Sequence, residues 1–345
     1  MTSLRESTSD PDPSEVPAGA PGLSEIEAAA RRLAGHAVVT PLLEYPAFNE
    51  RVGGRILIKA ETLQLTGSFK FRGAFNKISQ IPEAARAGGV IAYSSGNHAQ
   101  GVAAAARLLG IAATIVMPAD APAIKIENTR ALGADVVLYD RRRDAREEIT
   151  ERLMAERRAT LVRPYDDPDI IAGQGTCGLE IFRQAAAVGA RLDAALVCCG
   201  GGGLIAGTAT ALCGLDPAIA VYAVEPEGFD DTARSLAGGR RVSNDPAARS
   251  FCDALLVPTP GELTFSINRR LLAGGLAVDD REVARAMGFA FRDLKLVVEP
   301  GGAVALAALL AGKFDAGGKT VAVTLTGGNV DPATFAAAIA SAGTA

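Results

Sequence analysis

Between residues 89 and 163 the chain alternates short apolar runs with longer, Ala- and charge-rich stretches of helical length. Residues 90–93, 113–117, 136–139 and 160–163 read as strands, with helices at 99–109, 121–132 and 143–158 between them. Strands separated by helices of this length pair as parallel βαβ units, with helices on the sheet faces. The rhythm resumes after Asp169 with a helix at 171–188, a buried strand at 194–199, a helix at 204–213 and a strand at 220–225. Asp279-Asp280-Arg281-Glu282 starts a helix to Leu294, and a helix at 302–310 and a strand at 320–325 follow. Upstream lie a helix at 26–33 opened by Ser24-Glu25-Ile26-Glu27, an extended segment at 40–43 and a strand at 55–59. Residues 240–275, with Pro246, Pro258 and Pro260, read as irregular. The expected fold is α/β, with two doubly wound parallel-sheet domains. The smaller one, 89–167, is inserted into a larger one made of 23–88 and 168–345. Residues 1–22 carry few large apolar groups and read as a disordered arm.

Composition excludes several classes. A net charge of −4 gives no case for nucleic acid or an anionic membrane as partner. No apolar run reaches the ~18 residues of a membrane span, and no basic region followed by an apolar core marks a secretory signal. Five cysteines without a CxxC read as buried thiols in a reducing cytoplasm. Two histidines, His36 and His98, rule out a His-rich metal centre.

Open α/β sheets bind ligands at the carboxyl ends of their strands. Ser94-Ser95-Gly96-Asn97-His98, Gly200-Gly201-Gly202-Gly203 and Thr326-Gly327-Gly328-Asn329 all fall at such ends. The four glycines, between a buried strand and a helix, offer bare N–H groups and a positive helix end to a phosphate. The same stretch fits a dinucleotide fingerprint, since Gly201 to Ala206 match GxGxxA and Glu225 follows about 20 residues on. On that motif alone the two readings are even. Ser94 and Asn97 read locally as helix caps.

Lys70 lies between Phe69 and Phe71, behind a Thr66-Gly67-Ser68 helix start. A lysine among apolar neighbours loses hydration, which lowers its pKa and frees the amine as a nucleophile. Alone, it reads as a lysine whose stem packs on the core while its ammonium reaches water. Arg141, Arg142, Arg143 and Arg146 form a basic run of the kind found on solvated helix faces.

Together, the Lys70 segment and the three loops resemble the fold-type II pyridoxal-phosphate (PLP) enzymes, in particular the threonine/serine dehydratase and serine racemase branch. The resemblance runs from Leu23 to the last helix and implies a tryptophan synthase β-like fold with PLP in the cleft. It implies that Lys70 holds PLP, that the four glycines hold its phosphate, and that Asn97 bonds its 3′-oxygen. Thr326 would meet the pyridine nitrogen, with Phe69 near the ring. The substrate carboxylate would lie against Ser94, Ser95, Gly96, Asn97 and His98, with the Ser95 hydroxyl on the face opposite Lys70. Glu225, the carbonyl of Phe229 and Asp231 match the family's divalent-cation loop, suited to Mg²⁺ or Ca²⁺. Arg146 aligns with an arginine that approaches the substrate side chain in serine racemases and hydroxyaspartate dehydratases. Glu299, just before Pro300, reads as structural. The dinucleotide reading leaves Lys70 and the Asn and Thr loops without a role and ranks second. The implied activity is β-elimination from a β-hydroxy amino acid to a 2-oxo acid and ammonia. Threonine or serine is the first choice, then threo-3-hydroxyaspartate, then serine racemisation. A homodimer is expected, and control through a regulatory extension after Thr326 is not.

Overall fold

A computed structural model describes residues 18–121 and 123–341, so most of the expected arm lies outside the described residues. Among the described residues, ten strands form two sheets. These are β1 (Leu42–Glu44), β2 (Arg55–Ala60), β3 (Val90–Tyr93), β4 (Ala113–Pro118), β5 (Asp135–Tyr139), β6 (Thr160–Leu161), β7 (Ala194–Cys198), β8 (Ala220–Pro226), β9 (Leu272–Val278) and β10 (Thr320–Leu325). The larger sheet runs β1-β2-β10-β7-β8-β9 and the smaller β5-β4-β3-β6. Pairing is parallel throughout, except that β1 runs antiparallel to β2 at the edge of the larger sheet.

Side chains alternate across each strand, so both faces of the larger sheet are apolar. Ile56, Ile58, Leu196, Val321 and Val323 pack on the helices Asp280–Phe289 and Pro300–Leu310. Leu57, Ala195, Val197 and Ala322 face the other way, onto Pro168–Ala187 and Gly203–Leu215. The helix Lys70–Ser79 packs between the helices Asn97–Leu108 and Pro168–Ala187, and the first of these rests on β3 and β4 of the smaller sheet. Phe71, Phe75 and Ile78 of the lysine helix share a core with Val90, Ala92, Ile115 and Met117. Each large apolar side chain buried there contributes about 1.5–3 kcal/mol, which fixes the lysine at the seam between the sheets.

Several elements differ from expectation. The first helix starts at Leu23, and the Glu25 carboxylate accepts from the Gly22 N–H at 2.9 Å. The helix expected at 143–158 begins only at Arg146. Before it, the Asp144 and Asp140 carboxylates accept from the N–H groups of Asp140 and Arg142 and hold a turn. The irregular region resolves into the helix Glu262–Leu271 and β9, and a further helix spans Asp231–Gly238. Strand β6 ends at Leu161, and the chain then turns across the gap between the sheets.

Candidate active site

The loops after β3, β7 and β10 converge with the start of the Lys70 helix on one cleft of about 590 Å³. The Thr326 loop is zipped to the residues before Lys70. The Phe69 N–H donates to Thr326 O at 3.1 Å, Gly328 N–H donates to Gly67 O at 2.9 Å, and Ser68 bridges Gly327. Phe69, Lys70, Ser94, Ser95, Gly96, Asn97, His98, Arg146, Thr326 and all four glycines line this cleft.

Among the described residues, no acceptor takes the N–H groups of Gly200, Gly201 or Gly202, which sit at the N-terminus of the helix Gly203–Leu215. Buried N–H groups are rarely left unpaired, so these are set for a ligand acceptor. Nor is there room for side chains. A Cβ on Gly201 would lie 2.4 Å from the Tyr165 ring, and one on Gly203 would lie 2.6 Å from Gln174 Oε1. Gly202 has φ +89°, a conformation glycine adopts without strain. Bare donors at a helix N-terminus fit a phosphate. The dinucleotide reading fails on Glu225, whose buried carboxylate accepts from the N–H groups of Thr232 and Ala233, away from the cleft.

Lys70 Nζ donates to Pro164 O at 2.7 Å and lies 5.2 Å from the Phe69 ring centroid. Burial pushes its amine down to about 8, against an opposing pull from Glu299. His98 is held neutral. Burial, then Lys70, push its imidazole down to about 3, and its Nε2 bonds Val162 O at 2.8 Å. The helix Asn97–Leu108 has Gly96 at its N-cap and no side-chain cap, so the capping reading of Ser94 and Asn97 is not realised. The Ser94 hydroxyl instead accepts from the Gly96 N–H at 3.2 Å.

Arg146 opens its helix at the cleft wall, its guanidinium 5.0 Å from the Tyr93 ring centroid and its Nε 2.6 Å from a Glu147 oxygen. Glu225 and Asp231 lie outside the cleft. Burial and the neighbouring Asp231 push Glu225 up to about 8, and burial pushes Asp231 up to about 6. Asp231 Oδ1 accepts from Asn244 at 2.6 Å, while Oδ2 is buried without a partner. No group of three or more His, Cys, Asp or Glu side chains gathers for a metal among the described residues. Any cation at the acidic loop would therefore draw on backbone or water oxygen as well.

The sequence reading gave Asn329 no role within its loop, took Glu299 as structural and passed over the segment Pro164, Tyr165 and Asp166, yet all of them line the cleft. Glu299 is no mere helix-start residue, since its Oε1 accepts from Asn97 Nδ2 at 2.6 Å. Its buried carboxyl is pushed up to about 8. The one available signal was an acidic residue beside Pro-Gly-Gly ahead of a wholly apolar helix.

The pyridoxal-phosphate dependent enzyme family matches residues 33–327, and the chain belongs to that family. It is 45% identical over 307 residues to an L-threo-3-hydroxyaspartate ammonia-lyase of Pseudomonas sp, covering 89% of this chain and 95% of that protein. It is 42% identical over 311 residues to an L-threonine ammonia-lyase of Thermotoga maritima, covering 90% and 76%. The structure of maize serine racemase superposes with a TM-score of 0.87 at 35% identity, covering 93% of this chain and 97% of that one.

Proposed function

We propose that this chain is a PLP-dependent ammonia-lyase that removes the β-hydroxyl of a β-hydroxy amino acid and releases a 2-oxo acid and ammonia. The observation that carries this reading is the pairing, in one cleft, of unpartnered glycine N–H groups with a lysine amine depressed to about 8. Gly200, Gly201, Gly202 and Gly203 would hold the cofactor phosphate, Asn97 its 3′-oxygen, Thr326 its pyridine nitrogen and Phe69 its ring. Lys70 would hold its reactive carbon. Bound there, PLP supplies an electron sink for the bonds at the substrate Cα.

The chain's own residues handle protons and position. At neutral pH a useful fraction of the Lys70 amine is uncharged, so it can take the Cα proton. Ser95, on the facing loop, would protonate the departing β-hydroxyl. Ser94, Gly96 and the uncapped first turn from Asn97 and His98 offer donors to the substrate carboxylate. His98 is neutral, so the carboxylate is met there by N–H donors and not by a charged imidazolium. Loss of water and proton uptake are followed by addition of water to the released imine, and the nitrogen leaves as ammonia.

Within this class we infer threo-3-hydroxyaspartate as substrate, because Arg146 places a guanidinium on the cleft wall. Threonine or serine is the second reading, favoured by Glu147, which already offers Arg146 a carboxylate. Serine racemisation through Lys70 and Ser95 is a third. The acidic loop would take Mg²⁺ or Ca²⁺ on Glu225, Asp231 and the Phe229 carbonyl, a reading supported by the unpartnered Asp231 Oδ2. Release of keto acid and ammonia from L- and D-serine, threonine and 3-hydroxyaspartate tests the proposal. No release from any of them would overturn it.

A further inference from the structure

We infer that Glu299 is a positioning residue that sets the Asn97 carboxamide so that it presents an N–H, not its carbonyl, to the occupant of the cleft. This rests on the reading of the cleft as a cofactor site. The Thr66 backbone carbonyl can only accept, so the Asn329 atom bonded to it at 2.7 Å is the amide nitrogen. The second hydrogen of that nitrogen goes to Asn97, 2.7 Å away, and the Asn97 atom receiving it must be Oδ1. The other end of Asn97 is then Nδ2, which donates to Glu299 Oε1 at 2.6 Å. An amide nitrogen carries two hydrogens. One is spent on Glu299, and the second remains for the cleft that Asn97 lines.

Both ends of this relay are built with care. Thr66 has φ +63°, a left-handed backbone that is costly for a β-branched residue and that marks functional strain. At the other end, the Glu299 N–H donates to Gly327 O at 3.0 Å. A Cβ on Gly327 would fall 2.2 Å from Glu299 Oε1, so a side chain there would displace the carboxyl from Asn97. Burial raises the Glu299 carboxyl and Asp253 raises it further, while Asn97, Lys125 and Lys70 draw it down. Ionised or not, the carboxyl keeps an acceptor oxygen for Asn97. Removing it frees Nδ2 while Asn329 still holds Oδ1, so the carboxamide can swing. An N–H presented to the cleft favours an acceptor oxygen that carries negative charge, as the cofactor 3′-oxygen would.

The test compares Glu299→Ala, Glu299→Gln and Asn329→Ala with the wild-type protein, each reconstituted with PLP from the apo form. Cofactor Kd and the visible absorption band of the bound cofactor are read. Glu299→Ala should weaken PLP by about tenfold and shift the band, as expected for one misaligned charge-assisted hydrogen bond. Glu299→Gln, which keeps an acceptor, should restore both. Asn329→Ala should give the same band shift as Glu299→Ala, and the double variant should be no worse than either single one. An unchanged Kd and band in Glu299→Ala, or equal damage in Glu299→Gln, overturns the inference. Should Glu299→Ala not fold, an unchanged band in Asn329→Ala overturns it. A wild-type chain that takes up no PLP overturns the cofactor reading and this inference together, whereas normal wild-type uptake with an insensitive Glu299 overturns the inference alone.

Discussion

Lys70 Nζ rests on the carbonyl oxygen of Pro164, 2.7 Å away and 94 residues on in the chain. Pro164 lies just beyond β6, where the chain returns to the larger sheet. The next residue, Tyr165, covers Gly201. Asp166 then accepts from the N–H groups of Glu262 and Thr264, each at 3.1 Å. One short return segment thus touches the lysine, the glycine loop and the helix Glu262–Leu271.

Because burial pushes the Lys70 amine down to about 8, capture of PLP by the apo form should quicken as pH rises and level off above about 8. Below that it should slow by about tenfold per unit, since only the neutral amine attacks. Stopped-flow absorbance checks this. A stability effect follows with a definite sign. The folded chain releases this proton near 8 and the unfolded chain near the ordinary 10.5. The unfolded state therefore binds more protons in that window, and the apo form should gain stability relative to Lys70→Met as pH rises through it.

Gly202→Val should fold but retain cofactor poorly. Its φ is +89°, and a Cβ would meet Asn268 and Thr264 at 2.9 and 3.0 Å. The displaced loop should cost PLP affinity at least about tenfold, near 1.4 kcal/mol. Cofactor content after dialysis measures the loss, and unchanged retention would remove this loop as the phosphate cradle.

Arg146→Ala separates the substrates. A guanidinium can grip a second carboxylate with charge-assisted hydrogen bonds worth about 1.5–3 kcal/mol each. Arg146 is 49% exposed and shares its charge with Glu147, so the lower end of that range applies. The variant should lose about tenfold or more in kcat/KM on 3-hydroxyaspartate and far less on threonine or serine. Equal losses on all three would make Arg146 a residue of the fold.

Mg²⁺ or Ca²⁺ should raise the melting temperature, because Glu225 and Asp231 are buried carboxylates and Asp231 Oδ2 has no partner. At a hundredfold excess over Kd the gain is about 2.7 kcal/mol. Chelation should reverse it, and Asp231→Asn should abolish the response. A melting temperature indifferent to both ions and chelator leaves the acidic loop as a helix-capping turn.

The parallel order of β3, β4 and β5, and the loops at the ends of β3, β7 and β10, were legible because short-range periodicity encodes them. Strand β9 was not. Its sequence Leu-Ala-Gly-Gly-Leu-Ala-Val carries two glycines that weaken any strand pattern. Their reason is tertiary, since a Cβ on Gly275 would lie 2.5 Å from Ala233 Cβ in the neighbouring helix. Glu299 was misread for the same cause. Its local setting signals only a helix start, and its partner Asn97 is 202 residues away. Lys70 stood out because Phe69 and Phe71 flank it in sequence, yet its acceptor Pro164 carries no local signal.

The placement of β10 has a consequence for synthesis. Among the described residues this strand comes after every other one, yet it lies inside the larger sheet, between β2 and β7. Until residues 320–325 leave the ribosome, β2 and β7 each present an unpaired parallel edge, the kind of surface that templates pairing between chains. The Thr326 and Asn329 side of the cleft is also missing at that stage. A nascent chain therefore carries an exposed edge and an incomplete cleft until β10 slots in. Insertion of that strand closes the sheet and completes the pocket in one event, so pairing and cleft assembly are a single step.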